Sequence, residues 1–278
     1  MTIAPGSRYI LPTDENERHR LERQHAYLRT EVYNDRLIFD INVHIPDDGY
    51  VLDAGTGSGA WIMDLAPELP KSVHLYGVDT STKLFPRDPP VNLNVSKGSV
   101  TKLLPNWTGR FDFVHQRLLM VGLLKTEWPV AIAEIFRVLK PGGHVQFLEL
   151  INDQPAAETP ATKKHEALRI ALYEKQGLMY DCAAQLPRML REAGFVNVAE
   201  RERPAYVGKD AGPYGMLGKQ VLEGAFRGMK TPVMKAGGLG IISSEHEFDE
   251  LIDELDNEWE KAGCTRYAFN LVCAQKPY

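Results

Sequence analysis

Cysteine is scarce in this chain: Cys182, Cys264 and Cys273 are the only three in 278 residues, with no Cys-x-x-Cys spacing and no histidine cluster beside them. A disulfide framework or a structural zinc site is thereby excluded, and buried thiols in a reducing compartment are expected. Long apolar runs are also missing, and none approaches the roughly 20 residues that a membrane-spanning helix needs. Met1-Thr2-Ile3-Ala4-Pro5-Gly6 has neither the basic start nor the apolar core of a secretory leader. Nor is there an excess of positive charge: 32 Lys and Arg against 37 Asp and Glu give a formal net charge of −5. No global attraction to nucleic acid or anionic lipid follows, although local basic patches remain open. What remains is an ordinary globule, 44% hydrophobic and 25% charged. Its length suits one large α/β domain or a core plus a small cap. An intracellular protein is expected, in the cytoplasm or alternatively the nucleus.

Apolar periodicity and turn residues divide the chain. Residues 1–13 read as an irregular arm broken by Pro5, Gly6 and Pro12. A helix should begin at Asp14, with Glu17 three residues on and Leu21, His25, Leu28 and Val32 in one stripe, which puts His25 on the buried side. Strands are predicted at Tyr50–Leu52, Val73–Asp79, Leu93–Ser99, Phe111–His115 and Val145–Glu149. The Pro-rich piece Phe85–Pro90 excludes a helix between the second and third of these. A helix from about Thr126 to Leu139 should stop at Lys140-Pro141-Gly142-Gly143. Strands alternating with helices in this way predict a parallel, doubly wound sheet. Beyond Glu149 the pattern is helix-rich, with short strands expected at Phe195–Val198 and Tyr267–Ala274. The glycine- and methionine-containing stretch 208–240 reads as a pliable insertion over a pocket, and Ser244-x-x-Glu247 as the capping box of a last helix carrying Phe248, Leu251, Ile252, Leu255 and Trp259.

The chemistry concentrates at Val51-Leu52-Asp53-Ala54-Gly55-Thr56-Gly57-Ser58-Gly59-Ala60-Trp61. An apolar strand, an acid and three glycines at alternate positions opening a helix form a loop whose backbone N–H groups can approach a ligand closely. Gly55, Gly57 and Ala60 satisfy the dinucleotide fingerprint, which an NAD-dependent oxidoreductase would use. Asp53-x-Gly55-x-Gly57-x-Gly59 equally matches a loop for S-adenosylmethionine (AdoMet). Asp53 favours the second: a pyrophosphate would meet a carboxylate, whereas AdoMet carries a sulfonium and an ammonium that an acid attracts.

Taken with Tyr9-Ile10-Leu11-Pro12-Thr13-Asp14-Glu15, Arg20-Leu21-Glu22-Arg23-Gln24-His25, Gly77-Val78-Asp79, Phe111–Arg117, Leu139-Lys140-Pro141-Gly142-Gly143 and the closing Tyr267–Pro277, the chain resembles class I AdoMet methyltransferases. More narrowly it resembles the fungal LaeA-like group of secondary metabolism. The resemblance implies a Rossmann-like seven-stranded sheet, mostly parallel with its last strand antiparallel, and AdoMet at the carboxyl ends of the strands. Residues 1–45 would then be an N-terminal arm with lid helices, and 46–278 the AdoMet-binding core. Helical insertions at about 151–182 and 206–262 would cap the acceptor.

On this reading Asp53, Gly55, Thr56, Gly57 and Gly59 form the cofactor loop, and Asp79, followed by Thr80, accepts the ribose hydroxyls; the bland alternative for Asp79 is a helix cap. Ser99 and Val100 stand at the adenine, where relatives carry an acid. His115, Gln116 and Arg117 follow the fourth strand, where the methionine end of the cofactor meets the acceptor. His115 is a candidate general base, against a ring that merely packs, and Glu149 a candidate for orienting the acceptor, against a solvated strand-end carboxylate. His25 reads as a hydrogen-bonded core histidine, and Tyr9, Arg23 and Tyr33 could cover the cofactor carboxylate. No metal is expected. Methyl transfer to O, S or N of a small-molecule acceptor, leaving S-adenosylhomocysteine, is the leading reading, and a methyltransferase-fold regulator working through protein partners is the alternative. Nucleic acid is a poor acceptor, since neither an Asn-Pro-Pro-aromatic motif nor a Pro-Cys pair is present.

Overall fold

The computed structural model describes residues 10–152 and 159–278. In chain order its elements are α1 (Glu15–Glu31), β1 (Tyr50–Ala54), α2 (Ala60–Leu65), β2 (His74–Asp79), β3 (Leu93–Lys97), β4 (Phe111–Arg117), α3 (Trp128–Val138), β5 (Leu139–Leu150), α4 (Pro160–Gln176), α5 (Cys182–Glu192), β6 (Val196–Val207), α6 (Gly212–Gly228), α7 (Lys230–Lys235), α8 (Glu245–Ala262) and β7 (Thr265–Gln275). The strands form one seven-stranded sheet in the order β3-β2-β1-β4-β5-β7-β6. β1 pairs in parallel with β2 and β4, β2 with β3, and β4 with β5, while β7 runs antiparallel to both neighbours. This is the doubly wound sheet with an antiparallel last strand that the sequence predicted. The order reverses beside β1, and the crevice at such a reversal is where open α/β sheets bind ligands.

Local chemistry accounts for the element boundaries. Asp14 caps α1 by accepting from the Glu17 N–H at 3.1 Å, and Ser244 caps α8 by accepting from Glu247 at the same distance. The stripe Phe248, Leu251, Ile252, Leu255 and Trp259 is buried as expected. On α1, His25, Leu28 and Val32 are buried but Leu21 only in part. The helix also buries Glu17, Arg18 and Arg20, because α2, α6 and the Lys83–Phe85 loop surround it. Arg20 and Glu17 form a two-pronged ion pair at 2.7 Å, and Arg18 donates to the carbonyls of Leu84, Phe85 and Lys83. The β2–β3 crossover contains only a single turn of 3₁₀ helix, Thr82–Leu84, as Phe85–Pro90 demands.

Four expectations need correction. Lys140-Pro141-Gly142-Gly143 does not separate helix from strand: α3 passes directly into β5 at Leu139, and these residues lie inside the strand, where its register with β4 shifts. Gly142 takes φ +77° there and donates to the Lys276 carbonyl, a backbone twist that only glycine adopts easily. β6 is three times the expected length, its outer part being an exposed edge whose charged run Glu200-Arg201-Glu202-Arg203 masks strand periodicity. The stretch 208–240 is largely helical rather than pliable, as α6 and α7. Finally, Cys264 is exposed, at the turn from α8 into β7, whereas Cys182 and Cys273 are buried; all three thiols are free.

Candidate functional site

A cavity of about 640 Å³ opens over the carboxyl ends of β1 through β5. Its floor is the set of loops that leave these strands: Gly55–Ser58 after β1, Asp79–Leu84 after β2, Lys97–Val100 after β3, Arg117–Leu123 after β4, and Leu150 at the end of β5. Its cover comes from α1 (Leu21, Gln24, Tyr27, Leu28), α4 (Arg169, Tyr173) and α6 (Val221, Leu222, Ala225, Phe226). Pockets that enclose drug-sized ligands span roughly 300–1,000 Å³.

The glycine loop is built for close approach. Gly55, Gly57 and Gly59 all take positive φ, and a side chain on Gly55 would collide with Leu119 at 2.7 Å. The Gly55 and Thr56 N–H groups are tied to the Val78 carbonyl, which fixes the loop to β2. Asp79 completes the rim. Its Oδ2 accepts from the Gly57 N–H at 3.0 Å and its Oδ1 from the Ser81 N–H at 2.9 Å, so the helix-cap role and a ligand role coexist: each oxygen retains a lone pair, and the residue lines the cavity. Burial pushes its carboxyl pKa up, so hydroxyl donors from a ligand would relieve an unfavourable charge.

Gly55, Thr56, Gly57, Asp79, Thr80, Ser99 and Val100 therefore line the cavity, as the sequence led one to expect. Asp53, Gly59, His115 and Gln116 do not. Asp53 and His115 are directly paired across β1 and β4, which puts both side chains on one face of the sheet. His115 Nδ1 donates to Asp53 Oδ1 at 2.8 Å, and Thr56 Oγ1 donates to Asp53 Oδ2 at 2.6 Å. The Tyr33 hydroxyl donates to His115 Nε2 at 3.0 Å, and the Trp61 indole stacks on the imidazole with ring centroids 3.7 Å apart. Both imidazole nitrogens are thus engaged and the ring is fully buried, which also lowers its pKa. The general-base reading of His115 finds no geometry here; the packing alternative describes the ring. Asp53 reaches a ligand only through its field and its hold on Thr56.

Glu149 is not solvated, nor does it line the cavity. Its fully buried carboxylate accepts from the Leu119 N–H at 2.8 Å, the Met120 N–H at 3.3 Å and Gln116 Nε2 at 3.3 Å, and burial pushes its pKa up to about 8. It pins the loop after β4, where Leu118 takes φ +52°, a conformation that non-glycine residues seldom adopt. His25 is the hydrogen-bonded core histidine expected. Nε2 donates to Asp64 Oδ2 at 2.8 Å while Nδ1 accepts from Arg117 Nη1 at 3.1 Å, and burial beside Arg117 lowers its pKa to about 4. Arg23 is exposed and Tyr33 is enclosed beneath the loop, so neither covers the cavity; Tyr9 lies outside the described residues.

The sequence does not single out Leu119 and Met120, whereas Arg117 is marked with His115 and Gln116 at the end of the fourth strand, and α6 falls within the insertion expected over the pocket. Arg117 ends β4 and lines the cavity, and among the described residues it has no carboxylate partner. Standing two residues after His115, it is the next side chain on the same strand face. Among the described residues no group of three His, Cys, Asp or Glu side chains could hold a metal, and no helix is long and apolar enough to cross a membrane.

A family model described as a methyltransferase domain matches residues 21–200. The N-methyltransferase sirN of Leptosphaeria maculans is 31% identical over 217 residues, covering 77% of this chain and 75% of that protein. The N-methyltransferase gliN of Aspergillus fumigatus is 27% identical over 288 aligned residues and covers 100% of both. The secondary metabolism regulator laeA of Coprinopsis cinerea is 35% identical over 145 residues, 51% of this chain and 35% of its own length. Among solved structures, phosphoethanolamine N-methyltransferase 2 of Haemonchus contortus in complex with S-adenosyl-L-methionine superimposes with a TM-score of 0.52 at 16% identity, covering 98% of this chain and 55% of that one. A putative methyltransferase from Bacillus halodurans gives 0.51 at 17% identity, covering 85% and 96%. At such identities the solved structures speak for the fold alone.

Proposed function

The chain belongs to the methyltransferase domain family and is an AdoMet-dependent methyltransferase for a small-molecule acceptor, and we propose that the acceptor atom is a nitrogen of a secondary metabolite. The observation that carries this reading is that the glycine loop and Asp79, joined by the Gly57 hydrogen bond, open on the same cavity whose far side is a largely apolar wall holding one buried arginine. The names of sirN and gliN, both N-methyltransferases, support the choice of nitrogen.

The residues present fit the cofactor. Asp79 offers two acceptor oxygens to a vicinal diol, and a hydrogen bond to a charged acceptor contributes roughly 1.5–3 kcal/mol. Ser99, Val100 and Leu84 supply a small polar group and an apolar surface for the base. Arg117, held by His25, would receive the amino-acid carboxylate, the task that the sequence had suggested for Arg23. Asp53, His115, Tyr33 and Trp61 stiffen the glycine loop from behind. Glu149 sets the Leu119–Met120 backbone at the middle of the cavity. When bound, AdoMet supplies a methyl group already activated on a sulfonium sulfur.

The protein's own contribution is alignment and exclusion of water. Alignment alone is worth roughly 7–11 kcal/mol of a bimolecular barrier. Among the described residues lining the cavity there is no histidine, and Tyr173, which does line it, has its hydroxyl pushed above its ordinary pKa by burial. An acceptor whose lone pair is free without prior deprotonation fits such a site. The helical segments around α4 and α6 to α8 act as the acceptor-side cap, and α1 as the cofactor-side lid. The test is incubation of the purified chain with methyl-labelled AdoMet and parallel panels of amines, phenols, thiols and carboxylic acids. Label in amines is expected. Label confined to phenols or thiols contradicts the nitrogen assignment, and no transfer despite intact AdoMet binding favours a regulator acting through protein partners.

A further inference from the structure

Three arginines are buried among the described residues, and two of them are paired with carboxylates. Arg20 pairs in two prongs with Glu17, and Arg18 meets Glu15 and three backbone carbonyls. Arg169, 8% exposed, differs from both. It rises from the middle of α4 into the wall of the cavity. Its Nη2 donates to Asn152 Oδ1, and its guanidinium carbon lies 5.5 Å from the centroid of the Tyr180 ring and 5.6 Å from that of Phe226. Its Nε is buried with no hydrogen-bond partner, and among the described residues no carboxylate lies within ion-pair distance of it.

Such an arrangement is costly unless something completes it. A buried charge without a counter-charge or a full set of hydrogen bonds is strongly unfavourable, and cation–π contact with two rings offsets only part of that. The guanidinium is also held in place. Asn152 is itself fixed, its Nδ2 donating to the Tyr180 carbonyl at 2.9 Å while the Tyr180 hydroxyl donates to the Asn152 carbonyl at 3.1 Å. The fork therefore stands preorganised beside the apolar Phe226, Met229 and Tyr173, all of which line the same cavity. Asn152 follows β5, two strands from the glycine loop on β1. At about 4.8 Å per strand that is roughly 10 Å from the loop, on the acceptor side.

We propose that Arg169 is the acceptor-recognition residue of this enzyme, and that it binds a carboxylate or carbonyl oxygen carried on an otherwise apolar acceptor. This rests on the assignment of the glycine-loop end of the cavity to the cofactor. A charge-assisted hydrogen bond inside an apolar pocket then orients the acceptor, with the guanidinium fork suited to a planar oxygen-bearing group.

The test is calorimetric titration of the full chain, loaded with S-adenosylhomocysteine, with phenylacetate, phenylacetamide and phenylethanol. Phenylacetate or phenylacetamide should bind about tenfold or more tightly than phenylethanol, and Arg169→Met should level the series while leaving affinity for AdoMet unchanged. Arg169→Met fills the site with an apolar chain of similar length, and a circular-dichroism melt checks that it folds. A preference for phenylacetate over phenylacetamide identifies a carboxylate-bearing acceptor, and equal binding of the two identifies a carbonyl. Equal or undetectable binding of all three to the wild-type chain, or a preference that survives in Arg169→Met, overturns the proposal. Failure of AdoMet or S-adenosylhomocysteine to bind at all would instead strike the cofactor assignment.

Discussion

At the scale of single residues, the site separates groups that touch the cavity from groups that hold it in shape. Glu149 is of the second kind, and its burial has a pH signature. In the folded chain its pKa is raised from 4.5 to about 8, so folding retains a proton that the unfolded chain releases across that interval. Its contribution to stability is therefore fully present below the unfolded value and is lost as pH rises through 8. Glu149→Gln removes this dependence: the stability of the variant relative to wild type, from urea midpoints, should rise between pH 5 and 9. Parallel profiles would show that folding does not shift the pKa of this carboxyl group. The sequence placed Glu149 and His115 at strand ends, where chemistry usually collects, but the face each side chain takes depends on pairing. Asp53 opposite His115 is a fact of register, and register is set by strands more than 50 residues apart in the chain.

At the scale of elements, the cover of the cavity is shaped by the packing of α1 against α6. A side chain at Gly218 would stand 2.4 Å from the Tyr27 ring, at Gly224 3.2 Å from Arg20, and at Gly228 3.0 Å from Leu11. The glycines that suggested a pliable loop are thus a closely packed helix face. Composition signals flexibility and contact alike, and only the partner helix tells them apart. Tyr27 is held by its hydroxyl's bond to the Tyr206 carbonyl at 3.0 Å, so it yields poorly. Gly218→Ala should therefore destabilise the chain by about 1–3 kcal/mol through overpacking, despite the better helix propensity of alanine. A denaturation midpoint at or above that of wild type would show that α1 is not seated there. Capping boxes and apolar stripes were legible because their signals are local, as at Asp14 and Ser244. β6 was misjudged for the converse reason: an edge strand with a charged outer face carries no alternating apolar pattern.

At the scale of the molecule, one cavity bridges two kinds of structure. The side proposed for the cofactor is the set of strand-end loops common to the fold, and seven of the proposed cofactor residues line it, legible because glycine spacing and strand-end acids are dictated by backbone chemistry. Its other side is formed by α4 and α6, whose residues converge only after the helices cross the sheet, so Arg169 left no mark in the chain order, while Phe226 and Met229 lie in the stretch that pointed to an insertion over a pocket. All of this depends on the proposed binding of AdoMet by the glycine loop and Asp79. It is tested most directly by calorimetric titration of AdoMet into the wild-type chain and Asp79→Ala. One site per wild-type chain is expected, with a loss of about tenfold or more in affinity for the variant, the loss of hydrogen bonds to a charged acceptor. Equal affinity for the two proteins, or no binding to the wild-type chain, would contradict it.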